Sequence, residues 1–256
     1  MTGDDARQSV IEETLASALI ADPTPIEPEE PIVPESFVPL LVALAVTEVL
    51  ASLADLWPAL FALLTSVVLF AGMITVLRDP PVRLIVGGIL MVCLPLRWAV
   101  HFCGDQYPIL ILASHVSLGL YFVALEALVL TRVIAHRQIT TQTVVGAICG
   151  YLLIAYVFGF AFAILEFWEP RSIIIGGLPA ADNRAADIEQ DVGELMYFSF
   201  VTLTTVGYGD FVPASRIART LVVMEVLAGQ LYLAAFVARL VGAMTTSRGP
   251  DRQESQ

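Results

Sequence analysis

Thr204-Thr205-Val206-Gly207-Tyr208-Gly209-Asp210 is the stretch on which the reading of this 256-residue chain turns. Each residue type in it meets one demand of stripping the water from a potassium ion. With the backbone from Thr205 to Tyr208 extended along an axis, and Gly207 and Gly209 in dihedrals that a side chain disfavours, successive carbonyls turn inward as a stack of oxygen rings. The Thr205 hydroxyl adds the innermost ring. Val206 and Tyr208 then point away from the ion and pack behind the oxygens, where their bulk holds the spacing. One strand cannot close a ring, so four chains are expected around one axis.

The run Thr-Val-Gly-Tyr-Gly at 205–209, with Thr204 before it and Asp210 after it, resembles the signature of the potassium channel family at all seven positions. The resemblance covers about Val144 to Met244, and far more weakly the segments before it. It implies a homotetrameric channel that conducts K⁺ passively by hopping between adjacent sites, with K⁺ bound at Thr205, Val206, Gly207 and Tyr208 and Gly209 completing the filter. It implies support from Thr204 and Asp210 and an aromatic cuff at Tyr197 and Phe198, in which Tyr197 hydrogen-bonds Asp210. Some bacterial relatives carry a Glu at the position of Val201 that pairs with this Asp, and Val201 cannot. Gly229 falls about where the family's inner helix has a gating-hinge glycine; a hinge and close packing on the pore helix are both open, since a mid-helix glycine costs about 1 kcal/mol against alanine and needs some reason.

Composition agrees with a membrane setting. The chain is 57% hydrophobic with a mean hydropathy of +0.78, far too apolar for a soluble domain of this length. Net charge is −12, from 25 acids against 13 bases, all arginine, which argues against nucleic acid as a partner. The absence of lysine fits a GC-rich coding bias and so a prokaryotic source. Cys93, Cys103 and Cys149 are too few and scattered for a disulfide framework or metal site, with Cys103 in an outer loop. His101, His115 and His136 are spread along the chain without a nucleophile or phosphate loop, so no enzyme and no cofactor are expected beyond K⁺ as the permeant ion.

The expected fold is an all-α membrane protein with six transmembrane helices, at about 38–54, 57–77, 82–101, 108–131, 143–167 and 217–242. A seventh apolar stretch, Val192–Leu203, reaches only about 18 Å against about 30 Å of hydrocarbon, so it reads as a re-entrant pore helix between the fifth and sixth. Asp191 stands where its N-cap belongs, with Glu194 completing a capping-box pair. Residues 1–36 read as an acidic, Pro-rich, mostly disordered cytoplasmic tail, residues 37–137 as a four-helix membrane domain, 138–244 as the pore domain, and 245–256 as a short cytoplasmic tail. Within the first tail, Asp5–Ala21 carries a weak apolar stripe for a short helix.

Arg78 and Arg83, Arg132 and Arg137, and Arg239, Arg248 and Arg252 fall on alternate sides of the spans from the arginine-free short loops, which puts both termini in the cytoplasm of an inner (plasma) membrane. The fourth span carries no arginine between Tyr107 and Thr131, so direct voltage sensing is not expected. About a dozen residues follow the sixth span, so no regulatory domain is expected there; the filter itself, lipid or tension, pH, the acidic tail or a separate regulatory subunit are the open gating inputs. Glu225 lies inside the sixth span, where an acid is either functional or a buried acceptor for the pore helix. Glu48, Arg97 and His115 are expected within reach of one another as a buried polar cluster, read either as a structural ion pair or as a pH switch through His115. Between Glu166 and Glu194, seven acids face two arginines, a net −5 per chain for a negative outer vestibule. The competing functional class is a non-conducting accessory subunit that co-assembles with another pore.

Overall fold

Three of the helices open on proline, a residue whose missing N–H costs nothing at a first helical position. The computed structural model describes residues 36–51, 58–75, 80–103, 107–135, 139–175, 178–179 and 186–246. The expected helix at Asp5–Ala21, the acidic tail and the final tail lie outside the described residues. Helix α1 spans Val38–Ala51, α2 Pro58–Thr75, α3 Pro80–Cys103, α4 Pro108–Ala135 and α5 Thr141–Trp168. Strands β1 (Ile173–Ile175) and β2 (Leu178–Pro179) follow, then α6 (Ala186–Leu203), β3 (Phe211–Pro213) and α7 (Arg216–Thr246).

All six expected apolar segments are helical. By length and composition α3, α4, α5 and α7 are long enough to cross a membrane, whereas the apolar runs of α1, α2 and α6 are shorter. Cys103 ends α3, exposed, rather than standing in a loop. Helix α5 starts with a reciprocal cap. The Thr143 N–H donates to Thr140 Oγ1, and the Thr140 N–H donates to Thr143 Oγ1, each at 3.3 Å.

The core runs along α4 and α5, which pack side by side. Phe122 stacks on Tyr156 and Phe160, with ring centroids 5.0 and 5.5 Å apart. Helix α1 joins the same α5, where the Tyr156 hydroxyl donates to the Leu44 carbonyl at 3.2 Å. Helix α2 is tied to α4 by the Tyr121 hydroxyl on the Leu69 carbonyl at 2.6 Å, and Arg132 caps the α2 C-terminus at the Thr75 carbonyl at 2.7 Å. Helices α1 and α4 thus rest on α5 of their own chain, with α2 held through α4.

A three-stranded antiparallel sheet, in the order β2-β1-β3, adds to the helices. Its register pairs Ile173 with Pro213, Ile174 with Val212 and Ile175 with Phe211. The segment leaving α5 is thereby stitched to the segment leaving the Thr204–Asp210 run.

Candidate ion-conduction site

Helix α6 delivers the Thr204–Asp210 run and packs between α5 and α7. It begins at Ala186, ahead of the expected N-cap, so Asp191 lies within the helix. The correction has a local cause: 186–190 contain neither glycine nor proline, and an acid in the opening turn suits the helix dipole, so nothing stops the helix from extending. Its apolar part is still Val192–Leu203.

At the other end the helix tightens into the run. Thr204 N–H and hydroxyl both donate to the Phe200 carbonyl, at 3.0 and 2.7 Å. Thr205 N–H donates to Thr202 and Val206 N–H to Val201, at 2.9 and 3.0 Å. Val201 therefore contributes through its carbonyl, not its side chain. The Leu203 carbonyl accepts from the Tyr151 hydroxyl of α5 at 3.1 Å.

Beyond this point every second residue has positive φ: Thr205 at +60°, Gly207 at +55° and Gly209 at +81°. The two glycines are as expected. Thr205 is not, because a β-branched residue with positive φ is strained and no sequence signal marks it. In an ordinary strand consecutive carbonyls alternate sides; alternating the hand of the backbone brings them toward one side instead. In the single chain Val206 and Tyr208 are 51% and 73% exposed, and no other element among the described residues covers them.

The outer end is braced by aromatic rings. Phe198 is buried between Phe162 and Phe211, at 5.0 and 6.2 Å. Tyr197 packs edge-on against Phe211 at 5.5 Å, and its hydroxyl donates to Asp210 Oδ2 at 2.9 Å. Asp210 Oδ1 accepts from the Phe211 N–H at 3.1 Å. The bond to Asp210 holds the phenol proton and pushes the Tyr197 pKa above its ordinary value.

Glu166 corrects the outer vestibule. It is only 1% exposed, and its carboxylate accepts from Arg171 N–H at 2.5 Å, Ser172 hydroxyl at 2.6 Å and Ile173 N–H at 3.2 Å. A carboxylate so held braces β1. The side chains of Asp182, Asp187, Glu189 and Asp191 lie outside the described residues.

Glu225 is fully buried on α7, where Oε1 meets the Ser199 hydroxyl of α6; that same hydroxyl lies 2.8 Å from the Ala155 carbonyl of α5. Three helices converge on one serine, the buried-acceptor alternative for Glu225. Gly229 has a packing reason: a Cβ there would sit 2.5 Å from Leu203 Cδ1.

The cluster of Glu48, Arg97 and His115 is only partly assembled. Arg97 lies within electrostatic reach of His115, which is 2% exposed with its ring 6.1 Å from Phe160. The half-buried Glu48 lies within electrostatic reach of Tyr156. Glu48 is on α1, which packs on α5, whereas Arg97 is on α3, so the helical order separates them.

Sequence reasoning passed over Ser199, the bracing role of Glu166, and Glu126, a lone acid inside the long apolar α4. Glu126 carried a usable signal, since an acid in a membrane span is conspicuous in any hydropathy reading.

Residues 147–246, from the second turn of α5 to the end of α7, match the family model described as Ion channel. The match covers 100 of the 256 residues, and it is this segment, from α5 to α7, that is similar to an ion channel. No curated protein and no solved structure matches the chain.

Proposed function

We propose that four copies of this chain form a K⁺-selective channel, with Thr205–Gly209 as its filter and K⁺ carried passively from one oxygen ring to the next without covalent chemistry. The observation that carries the reading is the alternation of positive φ at Thr205, Gly207 and Gly209 directly after the C-terminus of α6, whose apolar part is only Val192–Leu203. That end of α6 presents the negative pole of its dipole toward the approaching cation. A tetramer is supported by exposure. Only 11% of the α7 span is buried in the single chain against 61% for α5, and Val206 and Tyr208 stand uncovered until neighbouring copies enclose them. Both termini are assigned to the cytoplasm of an inner membrane, with Asp210 facing outward.

The test is the reversal potential of purified protein in planar bilayers under opposed K⁺ and Na⁺ gradients. Reversal near the K⁺ equilibrium value is expected. Gly207→Ala is the control: its Cβ meets nothing within 4 Å, so its effect comes from the φ of +55°, which costs an L-residue about 1–2 kcal/mol. Equal permeability to Na⁺, or unchanged selectivity in Gly207→Ala, would overturn the reading. A silent wild-type chain that conducts only when mixed with another pore would establish the accessory-subunit alternative.

A further inference from the structure

Helices α4, α5 and α7 enclose a cavity of about 500 Å³ that the proposed conduction path does not use. Leu130, Ile154, Ala228 and Phe236 form much of its apolar wall, and Glu126 and Arg239 bring charge to it. The two charged groups are not equivalent. The Arg239 guanidinium donates to the Val133 carbonyl at the end of α4. Glu126 Oε2 is buried and has no hydrogen-bond partner among the described residues. A buried carboxylate oxygen without a donor is costly, and the apolar wall gives water little to hold it there. What Glu126 Oε2 calls for is a donor, preferably positive, on an apolar body that fits the wall.

We infer that this cavity is a binding site for a single-chain cationic amphiphile, an alkylamine whose ammonium group meets Glu126 Oε2 and whose chain lies between α4 and α7. Its volume is that of a site for a small organic molecule. Its depth excludes an ordinary phospholipid headgroup. Glu126 is nine residues before Ala135, the last residue of α4, which places it about 14 Å along the helix from that end and below the level where headgroups rest. Entry is therefore sideways, from the hydrocarbon. An occupant would lie between the four-helix domain and the inner helix, bridging the two parts that Arg239 already joins. The site does not depend on whether the channel selects K⁺, and binding is read separately from conduction.

The probe is dodecylamine carrying a photoreactive diazirine at its chain end, added to full-length protein in phosphatidylcholine vesicles and mapped by peptide analysis. Labelling is expected in α4 and α7 around Glu126–Ile134 and Ala228–Arg239, competed by unlabelled dodecylamine. Glu126→Gln, which keeps the shape and removes the charge, should weaken competition about tenfold or more, the loss of one charge-assisted hydrogen bond. Ala235→Trp, which fills the cavity, should abolish labelling and serves as a second variant if Glu126→Gln fails to assemble. Equal competition by dodecanol or dodecanoate, equal labelling of wild type and Glu126→Gln, equal competition by phosphatidylethanolamine, or labelling that arises only after the subunits are dissociated would each overturn the assignment.

Discussion

Replacing Gly229 by alanine separates packing from hinging through the sign of its effect. The new Cβ would lie 2.5 Å from Leu203 Cδ1, 3.4 Å from Leu203 Cγ and 3.5 Å from the Leu203 carbonyl. Leu203 is fully buried and immediately precedes the filter run, so its side chain has little room to rotate away. Overpacking of this kind costs about 1–3 kcal/mol, while alanine in a helix interior returns about 1 kcal/mol over glycine. The net expectation in the wild-type background is a loss of up to about 2 kcal/mol. In a Leu203→Ala background the obstacle is gone, and the same Gly229→Ala change should stabilise by about 1 kcal/mol. The assay is SDS-titrated unfolding of the four proteins of the double-mutant cycle in mixed micelles, with coupling of about 1–3 kcal/mol expected. If Gly229→Ala has the same sign in both backgrounds, the contact with Leu203 is not why glycine is there. A change in channel opening that Leu203→Ala does not rescue would then return the hinge as the explanation.

Glu166→Gln leaves one carbonyl oxygen to serve three donors and turns an NH₂ group toward them, so stability should fall by about 1–3 kcal/mol in the same titration. Because β1 pairs with β3 just after Asp210, the same variant should shorten the time for which K⁺ current is sustained; unchanged stability and current would refute the bracing role. Ser199→Ala removes the one hydroxyl that lies between Glu225 Oε1 and the Ala155 carbonyl and should cost about 1–3 kcal/mol, with Ser199→Thr retaining most of the contact. Tyr197→Phe keeps the ring against Phe211 and frees Asp210, so sustained current should decay faster in single-channel recordings. The raised Tyr197 pKa means the protonated donor persists through the ordinary tyrosine range, so the wild type should keep the slower decay up to at least about pH 10 and lose it only on phenolate formation.

The helices were legible because hydropathy over a span sums many residues, and misreading one residue does not move the sum. The contact of Tyr197 with Asp210 was expected through resemblance, since both stand at fixed distances from the Thr204–Asp210 run. Single-residue placements fared worse. Glu166 reads as one more acid in an acidic loop, yet it sits where α5 ends and three donors of the next segment turn back on it. Thr205 carries a dihedral that its residue type resists, so local propensity points the wrong way at that position. Strands two or three residues long offer no period to detect, which is why the sheet beside the mouth went unseen. The place of Glu48 beside Tyr156 was not legible, because spans say which residues are buried but not which helices are neighbours.

Neighbourhood is what the coordinates add, and it constrains how force could reach the filter. Five residues separate Ala135 from Thr141, too few to carry α5 away from α4, and the two helices pack along their length within one chain. Any displacement of α4 therefore bears first on its own outer pore helix. From α5 two contacts lead inward: Tyr151 to the Leu203 carbonyl at the foot of α6, and Ala155 to Ser199 and thence to Glu225 on α7. A third route is direct, since Arg239 of α7 holds the Val133 carbonyl of α4. The first two act within two turns of Thr205 and the third lies far along the inner helix. Cutting the first two should therefore alter ion occupancy and selectivity, whereas Arg239→Gln should alter opening and leave the reversal potential where it was; a shift in reversal potential in Arg239→Gln would show that the filter and the far end of α7 are not separable in this way.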